Sequence, residues 1–355
     1  MGKVRYVIIG FGGIAENRIT KEGFGLDKTR FNGLANAELI GAMDIDSKRK
    51  PVVESYGLRW YPSLEEVAND PEVDAVFIAT NNLTHADLAE KILLANKHCI
   101  IDKPIATNLA HAKRIIDIAE DKKLSLSVDH MMTENAYNIK AKQLVQEGIL
   151  GKVNDICTHM EFLYGASPEE AATWRCANPE EIGGPIGDVA SHCLYITEFL
   201  IGSQVKSLAC LYMPKTIDIN VENGAFIQFK LGNDIYGTVR VAFNQTRGGL
   251  ESTLTNLGYE IYGTNGILYG YGTLFQLSGH KAEIIKVRLE LDDFDKVTTI
   301  RLDNLSNIYQ SIIMKHASSI LEKKPINAQD GLHNLNLLIK SHQSAKENGV
   351  WLEVE

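Results

Sequence analysis

Over the first 128 residues, five short and nearly uninterrupted apolar runs alternate with segments of helical periodicity. The runs cover residues 5–10, 38–43, 75–79, 99–102 and 125–128, and amphipathic segments at 86–95 and 110–121 lie between them. A strand without polar alternation has both faces covered, and strands separated by helix-length segments have room to cross over and run parallel. The pattern predicts a parallel sheet with helices on both sides.

The pattern changes after residue 128. Residues 135–147 read as a helix stopped at Gly148, and strand-like runs such as 225–230, 235–243 and 259–262 then dominate to about residue 302. Turn pairs Gly232-Asn233 and Asn265-Gly266 separate successive runs, which predicts a mainly antiparallel sheet interrupted by one helix near Asp188. Helical segments at 306–322 and 331–347 close the chain. At 355 residues the chain has room for two domains of roughly 100–200 residues each. The expected division is an α/β domain at 1–128 and an α+β domain at 129–355.

Acidic residues outnumber basic ones, 45 to 36, giving a formal charge of −9. That argues weakly against nucleic acid or an anionic membrane as the main partner. Cys99, Cys157, Cys176, Cys193 and Cys210 are scattered without a CxxC pair, as expected of reduced thiols in the cytoplasm. No apolar stretch approaches the ~20 residues that span a bilayer. The chain enters a strand-like run at once, so no signal peptide is expected.

Gly10-Phe11-Gly12-Gly13-Ile14-Ala15 follows the first apolar run and opens a helix-like segment. Gly10 allows a tight turn, Gly12 lets the backbone approach a pyrophosphate, and the small Ala15 permits close helix–strand packing. The phosphates would lie at a helix N-terminus, where unpaired N–H groups favour anions. The same residues also fit an ordinary strand-to-helix turn; their place on the first strand of an alternating domain favours a nucleotide. Asp44 ends the second run and is positioned to accept hydrogen bonds from a ribose, although it lies 34 residues past Gly10 (44 − 10) where about 20 are usual. The excess is expected in a loop around residues 21–30. A carboxylate there disfavours a 2′-phosphate, so NAD is expected ahead of NADP. Lys48, Arg49 and Lys50 nearby either pair with such a phosphate or begin a solvated helix.

Lys103 follows the fourth run, at the carboxyl edge where doubly wound sheets bind ligands, and Pro104 restrains it. An ammonium there suits a hydroxyl that develops alkoxide character. Gly183-Gly184-Pro185 leads into a helix to about residue 200. Ile186, Val189, Cys193, Ile196 and Leu200 form one stripe; Asp188, His192, Tyr195 and Phe199 form a second, about 100° away. If the first stripe packs on the core, the second need not. A histidine there suits proton transfer from an alcohol, and the pair equally suits plain helix stabilisation. The pair could also begin a metal site, for which two ligands on one turn without an obvious third are poor evidence.

Together these residues resemble the glucose–fructose oxidoreductase / inositol dehydrogenase (Gfo/Idh/MocA) family over nearly the whole chain. Asp102-Lys103-Pro104 is similar to the family's Glu-Lys-Pro, and Thr80-Asn81-Asn82-Leu83-Thr84-His85 to its Thr-Pro-x-x-x-His loop. Ile182-Gly183-Gly184 with Asp188, Ala190 and His192 is similar to its Gly-Gly-Gly-x-x-x-Asp-x-Gly-x-His. The resemblance implies a Rossmann domain plus an open-faced, mainly antiparallel sheet used for homodimer or homotetramer assembly. It implies NAD or NADP held by Gly10, Gly12, Gly13, Ile14, Asp44, Thr80, Asn81, His85, Asp102 and Lys103. It also implies a catalytic set of Lys103, Asp188 and His192, with His192 as proton acceptor and Asp188 positioning the hydroxyl. Asp102 for Glu, Asn81 for Pro, Ile182 and Ala190 for glycines, and the spacing of Asp44 depart from the pattern. His130, Tyr164, Trp174 and Arg175 are candidate substrate contacts; a Trp–Arg pair can stack on a sugar face and bind its hydroxyls.

The implied activity is hydride transfer between nicotinamide and a secondary alcohol of a sugar, sugar derivative or cyclitol. Two rivals are a glycoside-cleaving enzyme that keeps NAD bound and a nucleotide sensor without turnover.

Overall fold

Six parallel strands carry the first unit of the chain: β1 (Val4–Ile9), β2 (Ala37–Met43), β3 (Arg59–Trp60), β4 (Ala75–Ile78), β5 (His98–Ile101) and β6 (Leu126–Val128). Their order is β3-β2-β1-β4-β5-β6, so the winding reverses between β1 and β4, the place where sheets of this kind bind ligands. The computed structural model describes residues 2–246, 257–272, 287–303 and 305–354. Val7, Ile8, Ile9, Val76, Phe77, Ile78, Ile100 and Ile101 are all wholly buried, the reason these strands lack polar alternation. Helices His85–Leu94 and Leu109–Asp121 fall where the periodicity places them; Asn108 caps the latter by accepting the His111 N–H at 2.8 Å. The segment after the glycine loop, Ala15–Gly23, is wound as a π-helix.

The helix Ile308–Leu321 belongs to this first unit, not to the second domain where 129–355 was expected; residues 306–335 cluster with the parallel sheet. The physical reason is its apolar stripe. Ile312, Ile313 and Ala317 pack in one core with Tyr6, Ile8, Ile19 and Phe24. The Tyr6 hydroxyl lies 2.8 Å from His316 Nδ1, and Asn307 Nδ2 donates to Glu22 Oε2 at 3.1 Å.

The second unit holds a nine-stranded sheet. Its strands are β7 (Val153–Glu161), β8 (Val205–Tyr212), β9 (Gly224–Leu231), β10 (Tyr236–Ala242), β11 (Leu257–Gly263), β12 (Gly266–Tyr271), β13 (Arg288–Asp292), β14 (Val297–Ile300) and β15 (Leu352–Glu353). The order is β14-β13-β12-β11-β7-β10-β9-β8-β15. Every pair is antiparallel except β7 with β10, which run parallel at the sheet's centre. Alternation is plain in β9, where Ala225, Ile227, Phe229 and Leu231 are buried and Phe226 is exposed. The helix Ser191–Ile201 packs on β7, and the π-helical turn Pro185–Ala190 before it packs on β9 and β10. The five cysteines are free, and no described helix is long and apolar enough to cross a membrane.

Candidate cofactor and catalytic sites

The chain leaves β1 through Gly10, whose N–H donates to Met43 O at 2.8 Å, beside the end of β2. Gly10 has φ +88°, and a Cβ there would lie 2.6 Å from Thr80 Cγ2 and 2.9 Å from the Ala79 carbonyl carbon. Conformation and space therefore both require glycine at this crossing of β1 and β4. Gly12 and Gly13 differ: a Cβ on either meets nothing within 4 Å. Packing does not explain these two glycines. Open space before backbone N–H groups at a helix start is what a pyrophosphate requires, so the loop fits a dinucleotide. Ile14 stands half-exposed at its edge and Ala15 is buried beneath it. Gly12→Ala is expected to leave the thermal midpoint unchanged while weakening NADH binding about tenfold or more. A fluorescence titration showing wild-type affinity would contradict the cradle.

Asp44 accepts the Phe11 N–H at 2.5 Å on Oδ2 and the Asp46 N–H at 2.8 Å on Oδ1. The backbone fixes the carboxylate against the glycine loop, and each oxygen retains accepting capacity for a ribose hydroxyl. The long spacing to Asp44 is spent on residues 24–36, which Phe24, Phe31 and Leu34 anchor in the core. Arg49 is neither solvated nor extended. Its Nε donates to Phe11 O at 2.7 Å, its Nη2 meets Glu16 at 2.5 Å, and its guanidinium lies 5.6 Å from the Phe11 ring centre. That hydrogen bond from Arg49, aided by Tyr56 and Lys21, holds Glu16 below the usual carboxylate range against the effect of burial. Lys48 and Lys50 are exposed.

Thr80 follows β4, its hydroxyl 2.7 Å from that of Thr84, and Asn81 is exposed beside it. His85, expected at the cofactor, is wholly buried instead. Its Nδ1 lies 2.8 Å from Pro104 O and its Nε2 3.2 Å from Thr80 O, so it ties the loop after β4 to the segment after β5. A ring held between two carbonyls positions these loops. Asp102 and Lys103 are half-buried, and Asp102 Oδ1 accepts the Lys103 N–H at 2.8 Å.

Asp129, just past β6, was not singled out from the sequence. Its carboxyl is buried, and its Oδ1 has no hydrogen-bond partner among the described residues. Burial pushes its pKa well above the usual range, the charge of Asp102 adds to this, and Lys103 opposes it. Burial thus disfavours the charged form of a carboxyl that lies within reach of Lys103. His130, expected against substrate, is buried as well, its Nδ1 2.9 Å from Asp330 Oδ2.

In the second unit the helix start is tightly built. A Cβ on Gly183 would lie 2.4 Å from Arg175 O, and one on Gly187 only 1.7 Å from Ile182 O. Ile182 has φ +48°, a left-handed conformation that suits the glycine it replaces and is rare for a β-branched residue. The π-helical winding of Pro185–Ala190 alters the expected stripes. Ile186, Val189, Cys193, Ile196 and Leu200 are buried as expected, but so are His192 and Tyr195, because this helix is covered nearly all round. Phe199 is half-buried.

Asp188 retains partial exposure, and its Oδ1 is paired with Arg175 Nε at 3.3 Å. The same guanidinium stacks 4.3 Å from the Trp174 ring centre. Tyr164 reaches this strap through its hydroxyl, 3.2 Å from Thr173 Oγ1, and its ring packs edge-on against Phe243 at 5.2 Å. Three expected substrate contacts thus gather around the expected catalytic carboxylate. His192 Nδ1 is 2.7 Å from the Tyr195 hydroxyl, which also accepts the Met132 N–H at 3.4 Å. A partner fixed on Nδ1 governs the tautomer and ring orientation. Tyr195 appeared in the sequence only as part of a stripe; its spacing of three from His192 was the available signal.

Residues 4–130 match the oxidoreductase family with an NAD-binding Rossmann fold (Gfo/Idh/MocA), and residues 138–269 match the Gfo/Idh/MocA C-terminal domain. The chain is 25% identical to 1,5-anhydro-D-fructose reductase of Ensifer adhaerens over 60% of its own length and 62% of that protein, less than two thirds of it. It is 27% identical to scyllo-inositol 2-dehydrogenase (NADP(+)) of Bacillus subtilis over 80% of both chains. Among solved structures, aldose-aldose oxidoreductase from Caulobacter crescentus superposes with a TM-score of 0.84 at 19% identity, covering 99% of each chain. An inositol dehydrogenase homolog from Azotobacter vinelandii, complexed with NADH and myo-inositol, gives 0.79 at 18% identity over 99% of this chain and 98% of the other. At these identities the structural likeness establishes the fold.

Proposed function

Because the chain belongs to the Gfo/Idh/MocA family of oxidoreductases, we propose that it transfers a hydride between nicotinamide and a secondary alcohol carbon of a sugar, sugar derivative or cyclitol. The observation that carries this reading is the pairing of Asp188 with Arg175 one helical turn from a His192 already engaged by Tyr195. When bound, the nicotinamide supplies the group that accepts or returns the hydride. His192 takes the hydroxyl proton in oxidation and gives it back in reduction. Tyr195, bonded to Nδ1, directs that transfer to Nε2. Lys103 donates a hydrogen bond to the reacting oxygen and favours its developing negative charge. Asp188 accepts from the substrate hydroxyl while Arg175 keeps the carboxylate oriented. Trp174 offers an apolar face to the ring, and Arg175 and the Tyr164 hydroxyl serve its other hydroxyls.

Gly10, Gly12, Gly13 and Ile14 would hold the pyrophosphate, and Asp44 the adenosine ribose. NAD is favoured over NADP because Asp44 repels a 2′-phosphate and Arg49 is already engaged by Phe11 O and Glu16. The protein is proposed to act in the cytoplasm as a homodimer or homotetramer. Exposed Leu211, Phe226 and Tyr236 on the nine-stranded sheet, with Trp351 near Tyr236, support self-association.

The test is NADH or NADPH fluorescence on incubation with NAD or NADP and a panel of cyclitols, aldoses and sugar acids. Reduction with one stereochemical group is expected, faster with NAD. Silence across the panel from protein that binds NADH would overturn the reading.

A further inference from the structure

Phe11, the second residue of the glycine loop, is held at both of its backbone groups by residues that follow β2. Its N–H donates to Asp44 Oδ2 at 2.5 Å, and its carbonyl accepts from Arg49 Nε at 2.7 Å. Its side chain is wholly buried, with the ring centre 5.6 Å from the Arg49 guanidinium. Arg49 ends a short helical turn, Ser47–Arg49, that Asp46 caps by accepting the Lys48 N–H at 3.0 Å. A permanently charged fork, of the kind that pairs with phosphate, is thus fixed on the same residue as the carboxylate proposed to hold the ribose. Glu16 already occupies that fork. It stands in the first turn of Ala15–Gly23, its N–H bonded to Gly12 O at 2.9 Å. Its Oε2 meets Arg49 Nη2 at 2.5 Å, while its Oε1 accepts from the Tyr56 hydroxyl at 3.0 Å and lies 3.5 Å from Lys21 Nζ. The paired side chains are only 28% and 20% exposed, so water and salt screen this contact less than one at the open surface.

We propose that Glu16 is a positioning residue for cofactor choice: by holding the Arg49 guanidinium to the glycine loop, it withholds from NADP the cation that would balance its 2′-phosphate. Two anions compete for one fork. The carboxylate belongs to the chain, so it competes at a high effective concentration, and Tyr56 and Lys21 keep it in place. Asp44 opposes the same phosphate by its own charge, whereas Glu16 acts only through Arg49, so the two effects are separable. Lys48 and Lys50 are exposed, and a solvated ammonium contributes less to a phosphate than a guanidinium fixed beside it. With Asp44 still in place, loss of Glu16 narrows the preference for NAD without reversing it. The inference rests on the proposed reading of the glycine loop and Asp44 as the dinucleotide site.

Equilibrium binding of NADH and NADPH to the full chain, followed by their fluorescence, tests this without turnover. The wild type is expected to bind NADH the more tightly. Glu16→Ala is expected to strengthen NADPH binding about tenfold and to leave NADH binding within about threefold. The ratio of the two constants is the readout, because the ligands differ by one phosphate and a merely structural role would move both together. Adding Arg49→Ala to that variant should return the ratio to the wild-type value, while both affinities fall with the lost hold on Phe11 O. An unchanged ratio in Glu16→Ala overturns the inference, as does a changed ratio that survives the loss of Arg49, or a wild type that prefers NADPH. If Glu16→Ala does not fold, Glu16→Gln, a neutral isostere, carries the same expectation with a shift of about threefold. Wild-type protein that binds neither dinucleotide would fault the dinucleotide site itself; NADH binding with an unmoved ratio faults the role of Glu16 alone.

Discussion

Replacing His192 with alanine is expected to lower turnover by about 100- to 10,000-fold, the usual contribution of a general base, while NADH affinity stays within twofold. The two readouts separate because the glycine loop and Asp44 belong to a different unit of the chain from the histidine. Since the Tyr195 hydroxyl would lose its contact with His192 Nδ1, Tyr195→Phe is the necessary control. It keeps the imidazole and removes only the group that orients it, so a loss of about tenfold is expected, with the acid limb of the pH profile moved. Turnover close to wild type in His192→Ala, measured on the substrate that the panel identifies, would remove His192 from the mechanism.

Gly187→Ala is expected to be the most damaging single methyl in the second unit. Its Cβ would lie 1.7 Å from the Ile182 carbonyl oxygen, a backbone atom in a residue already at φ +48°. Nothing flexible is available to yield. The N–H of Gly187 also donates to Gly183 O at 3.1 Å, so the displaced peptide takes a hydrogen bond of the helix start with it. Overpacking of this kind costs about 1–3 kcal/mol, and the upper end is expected against a backbone atom. A clear fall in the urea midpoint should accompany reduced turnover, because Asp188 is the next residue. An unchanged midpoint would show that the helix start is looser than its geometry.

The parts that could be read from the sequence are those governed by local chemistry. Strand ends in the first unit fall within about a residue of the apolar runs, because a strand buried on both faces has no other composition available to it. The two-residue β3 left no run to detect. The π-helical turn at Pro185–Ala190 was hidden because apolar residues three and four apart read as α-helix. At the site, Gly10, Lys103, Asp188 and His192 announced themselves by residue type and order. What escaped were their partners, which arrive from distant parts of the chain. Nothing local connects Arg175 with Asp188, Glu222 with Ile186, or Asp129 with Asp102 and Lys103. His85 is expected at the cofactor from its place in the Thr80–His85 loop, and His130 at the substrate from its place after β6; both are buried, beside Pro104 O and Asp330 Oδ2, partners that no local pattern reveals.

The parallel pairing of β7 with β10 bears on how the second unit is assembled. β7 emerges first, yet both strands that flank it, β10 and β11, lie some 75 to 100 residues further on. The middle of the sheet therefore cannot grow by adding one hairpin to the next. It must wait for a long loop to close, which makes the topology slow to form. Until then β7 presents two unpaired edges, and chains cut short before residue 236 would keep them, exposed to pairing with other molecules.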